Sequence, residues 1–199
     1  MFSSRFQDLS QAIDSCVYTA QGSLLTPSDA FHLARSLLSQ SNIVYVVGNG
    51  GSAGIASHFS TDLIKTLQIP SQTLYDSNLV TCLSNDWGYD TVFSYPLGKL
   101  LKPGDLLVAI SSSGKSPNII QAVNTAAQQK IKIITLSGFS NANPLRALGD
   151  LNFWIDRSDY GLVETSHFFL LHTIIDLWNK HATPVREYAE IFGNAPSKN

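Results

Sequence analysis

The chain has 199 residues, 44% hydrophobic and 14% charged, enough apolar material for one globular domain with a sizeable core. A formal net charge of -2 carries no basic excess of the kind nucleic-acid binding requires, and no apolar run reaches the roughly 18 residues of a membrane span. Two cysteines, Cys16 and Cys82, are too few for a disulfide framework, so reduced thiols in a soluble cytoplasmic protein are expected.

The N-terminus, Met1-Phe2-Ser3-Ser4-Arg5, lacks the continuous apolar core of a signal peptide. Phe2, Phe6, Leu9, Ile13 and Val17 recur at three- and four-residue steps and predict an amphipathic helix, broken by Gly22 and Pro27. A second helix follows, with Ser28 as its cap and Phe31, Ala34, Leu37 and Leu38 on its buried side. These N-terminal helices, residues 1–40, precede the first expected strand and stand outside any βαβ unit.

From Ile43 to Lys180 the pattern alternates. A strand over 43–47 leads into a helix over about 52–66. A weak strand over 72–75 precedes a helix starting near Ser77 or Asn78. A Pro96-containing helical stretch ends at the Lys102-Pro103-Gly104-Asp105 turn. Strands over 106–110, 131–136 and 151–155 follow, with a helix over 117–129 after the first of them and an apolar helix over 163–180 at the end. Continuous apolar strands separated by helices predict an α/β protein with a parallel sheet covered on both faces. Residues 193–199 read as a loose tail.

Two strand-to-helix loops carry the chemistry. Gly48-Asn49-Gly50-Gly51-Ser52-Ala53 follows the first strand, and Ser111-Ser112-Ser113-Gly114-Lys115-Ser116 follows the strand at 106–110. A helix N-terminus offers unpaired N–H groups and the positive end of its dipole, and four serine hydroxyls in six residues add neutral donors around a phosphate. The first loop also fits a G-x-G-x-x-A dinucleotide fingerprint, with Asp76 as the ribose-binding acid, so a nicotinamide enzyme is one alternative. The second is not a Walker loop, because Ala109 stands where its first glycine is needed.

His58 and Asp62 lie four residues apart on one helix face, where they could hold a metal, act in proton transfer or simply pair. In the last helix Glu164, His167 and His172 interrupt an apolar stretch. Each needs a partner if buried, which points to a function for at least one of them.

Gly48-Asn49-Gly50-Gly51-Ser52-Ala53 with His58-Phe59, Ser84-Asn85-Asp86-Trp87-Gly88, the serine loop, and Glu164-Thr165-Ser166-His167 with His172 together resemble the sugar-isomerase (SIS) domain family. Their order and spacing are similar to its phosphoheptose isomerase branch, over about residues 2–180. The resemblance implies a three-layer, flavodoxin-like sheet in a single SIS domain over 1–199. It further implies N-terminal helices used in oligomer packing and a homotetramer acting on a sugar phosphate, with no nucleotide cofactor. The implied reaction interconverts sedoheptulose 7-phosphate and D-glycero-D-manno-heptose 7-phosphate, for bacterial surface heptose such as lipopolysaccharide or capsule.

By motif position, Ser111, Ser112, Ser113 and Ser116 would hold the phosphate, and Asn49, Gly50, Gly51, Ser52 and Asp86 would bind the rest of the substrate. His58, Asp62, Glu164 and His172 fall where some relatives bind zinc, and Asp62 and His172 match the family's proposed acid/base pair, with Glu164 as a further catalytic carboxylate. Two positions depart from the branch: Asp62 stands in place of Glu, and Glu164 in place of Gln. The alternative within the branch is a non-catalytic phosphosugar-binding regulator similar to its replication-initiation regulator.

Overall fold

The computed structural model describes residues 2–179; Lys180 and the tail at 193–199 lie outside them. The N-terminal helix α1 spans Phe2–Asp14, shorter than its periodicity suggests. Ser15 turns its hydroxyl back onto the Ala12 carbonyl, and the chain enters strand β1 at Cys16–Ala20, so Val17 is a strand residue. The β-branched and aromatic run Val17-Tyr18-Thr19 is the overlooked signal. β1 pairs with β2 (Ser23–Leu25) through Gln21-Gly22, both at positive φ, the two-residue turn whose twist matches a hairpin.

Helix α2 (Pro27–Ser39) is capped by Thr26, whose hydroxyl accepts from the Asp29 amide, and not by Ser28. Pro27 takes the first helical position because it has no N–H to satisfy, which moves the cap one residue before it.

β3 (Val44–Val47), α3 (Gly51–Leu67), β4 (Ser71–Gln72) and α4 (Ser77–Trp87) come next. After them come α5 (Ser94–Leu100), β5 (Leu106–Ser111), α6 (Pro117–Gln128), β6 (Lys132–Ser137), β7 (Leu151–Ile155) and α7 (Tyr160–Asn179). The sheet order is β2-β1-β7-β6-β5-β3-β4. β4, β3, β5, β6 and β7 run parallel in the flavodoxin-like order. The sheet is not wholly parallel, because the β1–β2 hairpin adds two antiparallel strands beside β7. The hairpin covers an edge that would otherwise expose unpaired backbone groups.

Period-two alternation divides the core. Val44, Val46, Leu106, Val108 and Ile110 pack with Ala34, Leu38, Phe59 and Leu63 and with apolar residues of α7. Tyr45, Val47, Leu107 and Ala109 point the other way, onto Leu83, Leu97, Ile119 and Val123. Strands buried on both faces therefore read as continuous apolar runs, and three layers result. Among the described residues, no helix is long and apolar enough to cross a membrane.

Candidate active site

Sheet order reverses between β3 and β5, and a crevice opens beyond the carboxyl ends of such strands. Both loops singled out in the sequence lie there. A cavity of about 250 Å³ is lined by Asn49, Gly50, Gly51 and Ser52 from one side and by Ser111, Ser112, Ser113 and Ser116 from the other. Tyr160 and Glu164, from the start of α7, complete its wall.

The serine loop is braced from within. Ser111 donates its hydroxyl to that of Ser116 at 3.1 Å, and the Gly114 amide donates to the Ser111 carbonyl at 2.9 Å. Gly114 has φ +65°, and a Cβ there would strike the Asn143 amide oxygen at 1.9 Å, so the turn admits only glycine. Asn143 is buried and gives its NH₂ to Ser137 and to the Gly138 and Ser140 carbonyls. Ser112 is 5% exposed, and its hydroxyl has no partner among the described residues. A buried hydroxyl without a partner is costly, and a phosphate oxygen in this cavity would satisfy it.

Asn49 is fixed by residues that the sequence reading did not single out. It exchanges two side-chain hydrogen bonds of 2.9 Å with Asn118, and its carbonyl also accepts from the Tyr89 hydroxyl at 3.0 Å. Tyr75 donates to the Gly48 carbonyl, and burial pushes its phenol pKa up. Asn118 and the tyrosines come from distant parts of the chain, so no local motif marks them.

Gly51 opens α3 against α7: a Cβ there would lie 2.2 Å from a Glu164 carboxylate oxygen. The Glu164 carboxylate thus rests at the amino end of α3, where the helix dipole favours negative charge. His58 and Asp62 follow Gly51 at seven and eleven residues, on the same stripe of α3. There His58 Nε2 lies 3.2 Å from Asp62 Oδ2, and His172 Nδ1, from α7, lies 3.7 Å from the same oxygen. The imidazoles are 4.9 Å apart between centroids, each against the edge or face of Phe168.

The structure therefore divides one predicted set in two. His58, Asp62 and His172 offer ligand atoms within 4.8 Å of one another, while Glu164 is not in that group and lines the serine-loop cavity. Eight residues of α7 separate Glu164 from His172, roughly 12 Å of helical rise. Asp86 lies on the exposed side of α4, accepting from Asn85 and Cys82, outside the cavity lining. Asp76, the acid a nicotinamide site would need, caps α4 by accepting from the Leu79 amide at 2.9 Å.

His167 has a different environment. It is fully buried, with Nε2 3.0 Å from the Ser137 carbonyl, and burial lowers its pKa to about 4. The amino end of α7 is held by Asp159, which accepts from the Leu162 amide and pairs with Arg5 of α1. The Leu162 N–H and then Arg5 keep that carboxyl below the usual range.

A SIS domain model matches residues 14–138. The phosphoheptose isomerase of Campylobacter concisus is 35% identical over 151 residues, 73% of this chain and 79% of that protein. The phosphoheptose isomerase of Shewanella frigidimarina is 33% identical, over 74% of this chain and 79% of its own. Among solved structures, the phosphoheptose isomerase of Neisseria gonorrhoeae superposes with a TM-score of 0.76 at 28% identity, covering 88% of this chain and 96% of that one. On this fold, these loops and these similarities, the chain belongs to the SIS-domain family, in its phosphoheptose isomerase group.

Proposed function

We propose that the protein is a phosphoheptose isomerase that interconverts sedoheptulose 7-phosphate and D-glycero-D-manno-heptose 7-phosphate through an enediolate. The observation that carries this is the serine-lined cavity, with a Ser112 hydroxyl that has no partner among the described residues, at one end of an α3/α7 stripe whose other end holds Asp62 and His172. With phosphate on Ser111, Ser112, Ser113 and Ser116, an extended heptulose places C2 roughly 9 Å from phosphorus. That distance carries the reacting carbons past Glu164 towards Asp62 and His172.

In this reading Asp62 moves the proton between C1 and C2, and His172 serves the oxygen protons. Glu164 and Asn49 receive the hydroxyls in between, and Ser52 borders them. Holding the remote phosphate fixes the reacting end, so binding energy becomes orientation.

His58, Asp62 and His172 supply two imidazole nitrogens and a carboxylate oxygen within 4.8 Å, a donor set that suits zinc with an open position. Such an ion, when bound, would polarise the sugar carbonyl and stabilise the enediolate. Homotetramer formation is part of the same proposal. It is supported by the exposed Phe6 of α1, Phe169 and Leu177 of α7, and the Trp87, Tyr89 and Tyr95 group. The product would serve surface-heptose synthesis in the cytoplasm. The non-catalytic regulator reading is not favoured, because relatives at 33–35% identity carry the isomerase name.

The test is turnover of seven-, six- and five-carbon sugar phosphates, with and without a chelator. Isomerisation confined to the seven-carbon substrate is expected. Absence of isomerisation in every arm, in folded protein supplied with zinc, overturns the proposal.

A further inference from the structure

The peptide group joining Ser137 and Gly138 is held at both ends. Its carbonyl lies 3.0 Å from His167 Nε2 on α7, and its N–H donates to the Ser112 carbonyl at 2.9 Å. One amide plane therefore lies between the catalytic helix and the serine loop. The carbonyl can only accept, so Nε2 carries the imidazole proton and donates it. Nδ1 is left buried with no partner among the described residues.

The Nδ1 arrangement is unfavourable for stability alone, because an apolar side chain of similar volume would avoid the buried lone pair. The single bond from Nε2 is what the imidazole adds. Its full burial keeps it away from substrate, and its lowered pKa keeps it neutral at working pH, so it is neither acid nor base in the reaction. His167 nevertheless stands in sequence between Glu164 and His172, two of the α7 residues that face the site.

We infer that His167 is a positioning residue: through the Ser137–Gly138 peptide it locks the Ser112 segment of the phosphate loop to the helix bearing Glu164 and His172. The inference rests on the phosphate-site reading above for its functional consequence, but the mechanical link does not depend on that reading. Peptide polarisation adds to it, since a hydrogen bond to the carbonyl strengthens the bond that the same amide's N–H donates. The spacing between the phosphate loop and the α7 residues that meet the reacting carbons thereby depends on one buried side chain.

The test compares His167→Phe, which removes the donor, with His167→Gln, whose amide can return a donor near the Nε2 position. The readouts are hydrogen exchange at the Gly138 amide and the affinity for inorganic phosphate. In His167→Phe, exchange at Gly138 should quicken and phosphate binding should weaken, each roughly tenfold, while the core amide of Val108 keeps its protection. His167→Gln should recover both to within about threefold. In turnover, Phe should raise KM and lower kcat together, and Gln should restore both.

Should Phe fail to fold, His167→Leu takes its place. Unchanged Gly138 protection in a folded Phe or Leu variant overturns the inference, as does equal loss of protection at Gly138 and Val108. Absence of phosphate binding by the unsubstituted protein would count against the proposed function, leaving Gly138 exchange to decide the positioning link.

Discussion

Gly51→Ala tests the site most sharply, because it adds one methyl group where α3 meets α7. The new Cβ would lie 2.2 Å from one Glu164 carboxylate oxygen and 2.8 Å from the other, short of ordinary contact by roughly 1 Å. The obstruction is the end of a flexible side chain, so Glu164 can swing aside at about 0.5–1.5 kcal/mol for an imperfect rotamer. Against this, alanine is favoured over glycine in a helix by up to about 1 kcal/mol, less at the first position. The two effects nearly cancel, and the melting temperature should stay within about 4 °C of the parent. Activity should not survive so well. A group displaced by about 1 Å from its working position can cost on the order of 100-fold, so kcat/KM on sedoheptulose 7-phosphate should fall between about 10- and 100-fold. The assay pairs thermal unfolding with steady-state kinetics of Gly51→Ala, Glu164→Ala and the double variant. The double variant should be little worse than the worse single one, because both changes remove the same carboxylate. Parent-like kcat/KM in Gly51→Ala and Glu164→Ala alike would refute the role given to Glu164.

Gly114→Ala combines a left-handed backbone penalty of about 1–2 kcal/mol with displacement of the buried Asn143, and should destabilise by about 2–4 kcal/mol in urea unfolding. Phosphate binding should disappear with it; a parent-like midpoint would show that the turn tolerates a side chain. Asp62→Asn should lower kcat by about 10²–10⁴ while leaving inorganic phosphate affinity within about threefold, and equal loss of both would remove Asp62 from the chemistry. Zinc content after dialysis should be stoichiometric and should fall in His58→Ala and His172→Ala; retention in both variants would locate any bound ion elsewhere. Burial lowers the His167 pKa from 6.5 to about 4, so between these values the unfolded chain binds the extra proton. Stability is therefore full above about pH 6.5 and declines towards pH 4, by on the order of 3 kcal/mol over that window. Urea midpoints of the parent should fall more steeply there than those of His167→Gln, and parallel slopes would contradict the assignment.

The two loops were legible because each is a local event, an apolar strand ending in residues that only an exposed, anion-facing helix start accommodates. The alternation from Ile43 to Ile155 likewise identified the parallel strands, since a strand buried on both faces has no polar side to display. Local signals were weaker at Val17, whose apolar spacing suits a helix although its β-branched surroundings favour β1. They also failed for Asn118, Tyr75 and Tyr89, which hold the first loop from positions remote in sequence.

The residues by themselves determined the family, the strand-to-helix loops and the inventory of carboxylates and imidazoles, because each is written in composition and short-range spacing. Tertiary structure alone decided how that inventory is divided. Glu164 meets Gly51 at the amino end of α3, His172 joins His58 and Asp62 further along it, and His167 turns inward to the Ser137 carbonyl. The physical reason is that helical periodicity fixes only the angle at which a side chain leaves its own helix. What it meets there depends on which helix or strand is packed across from it.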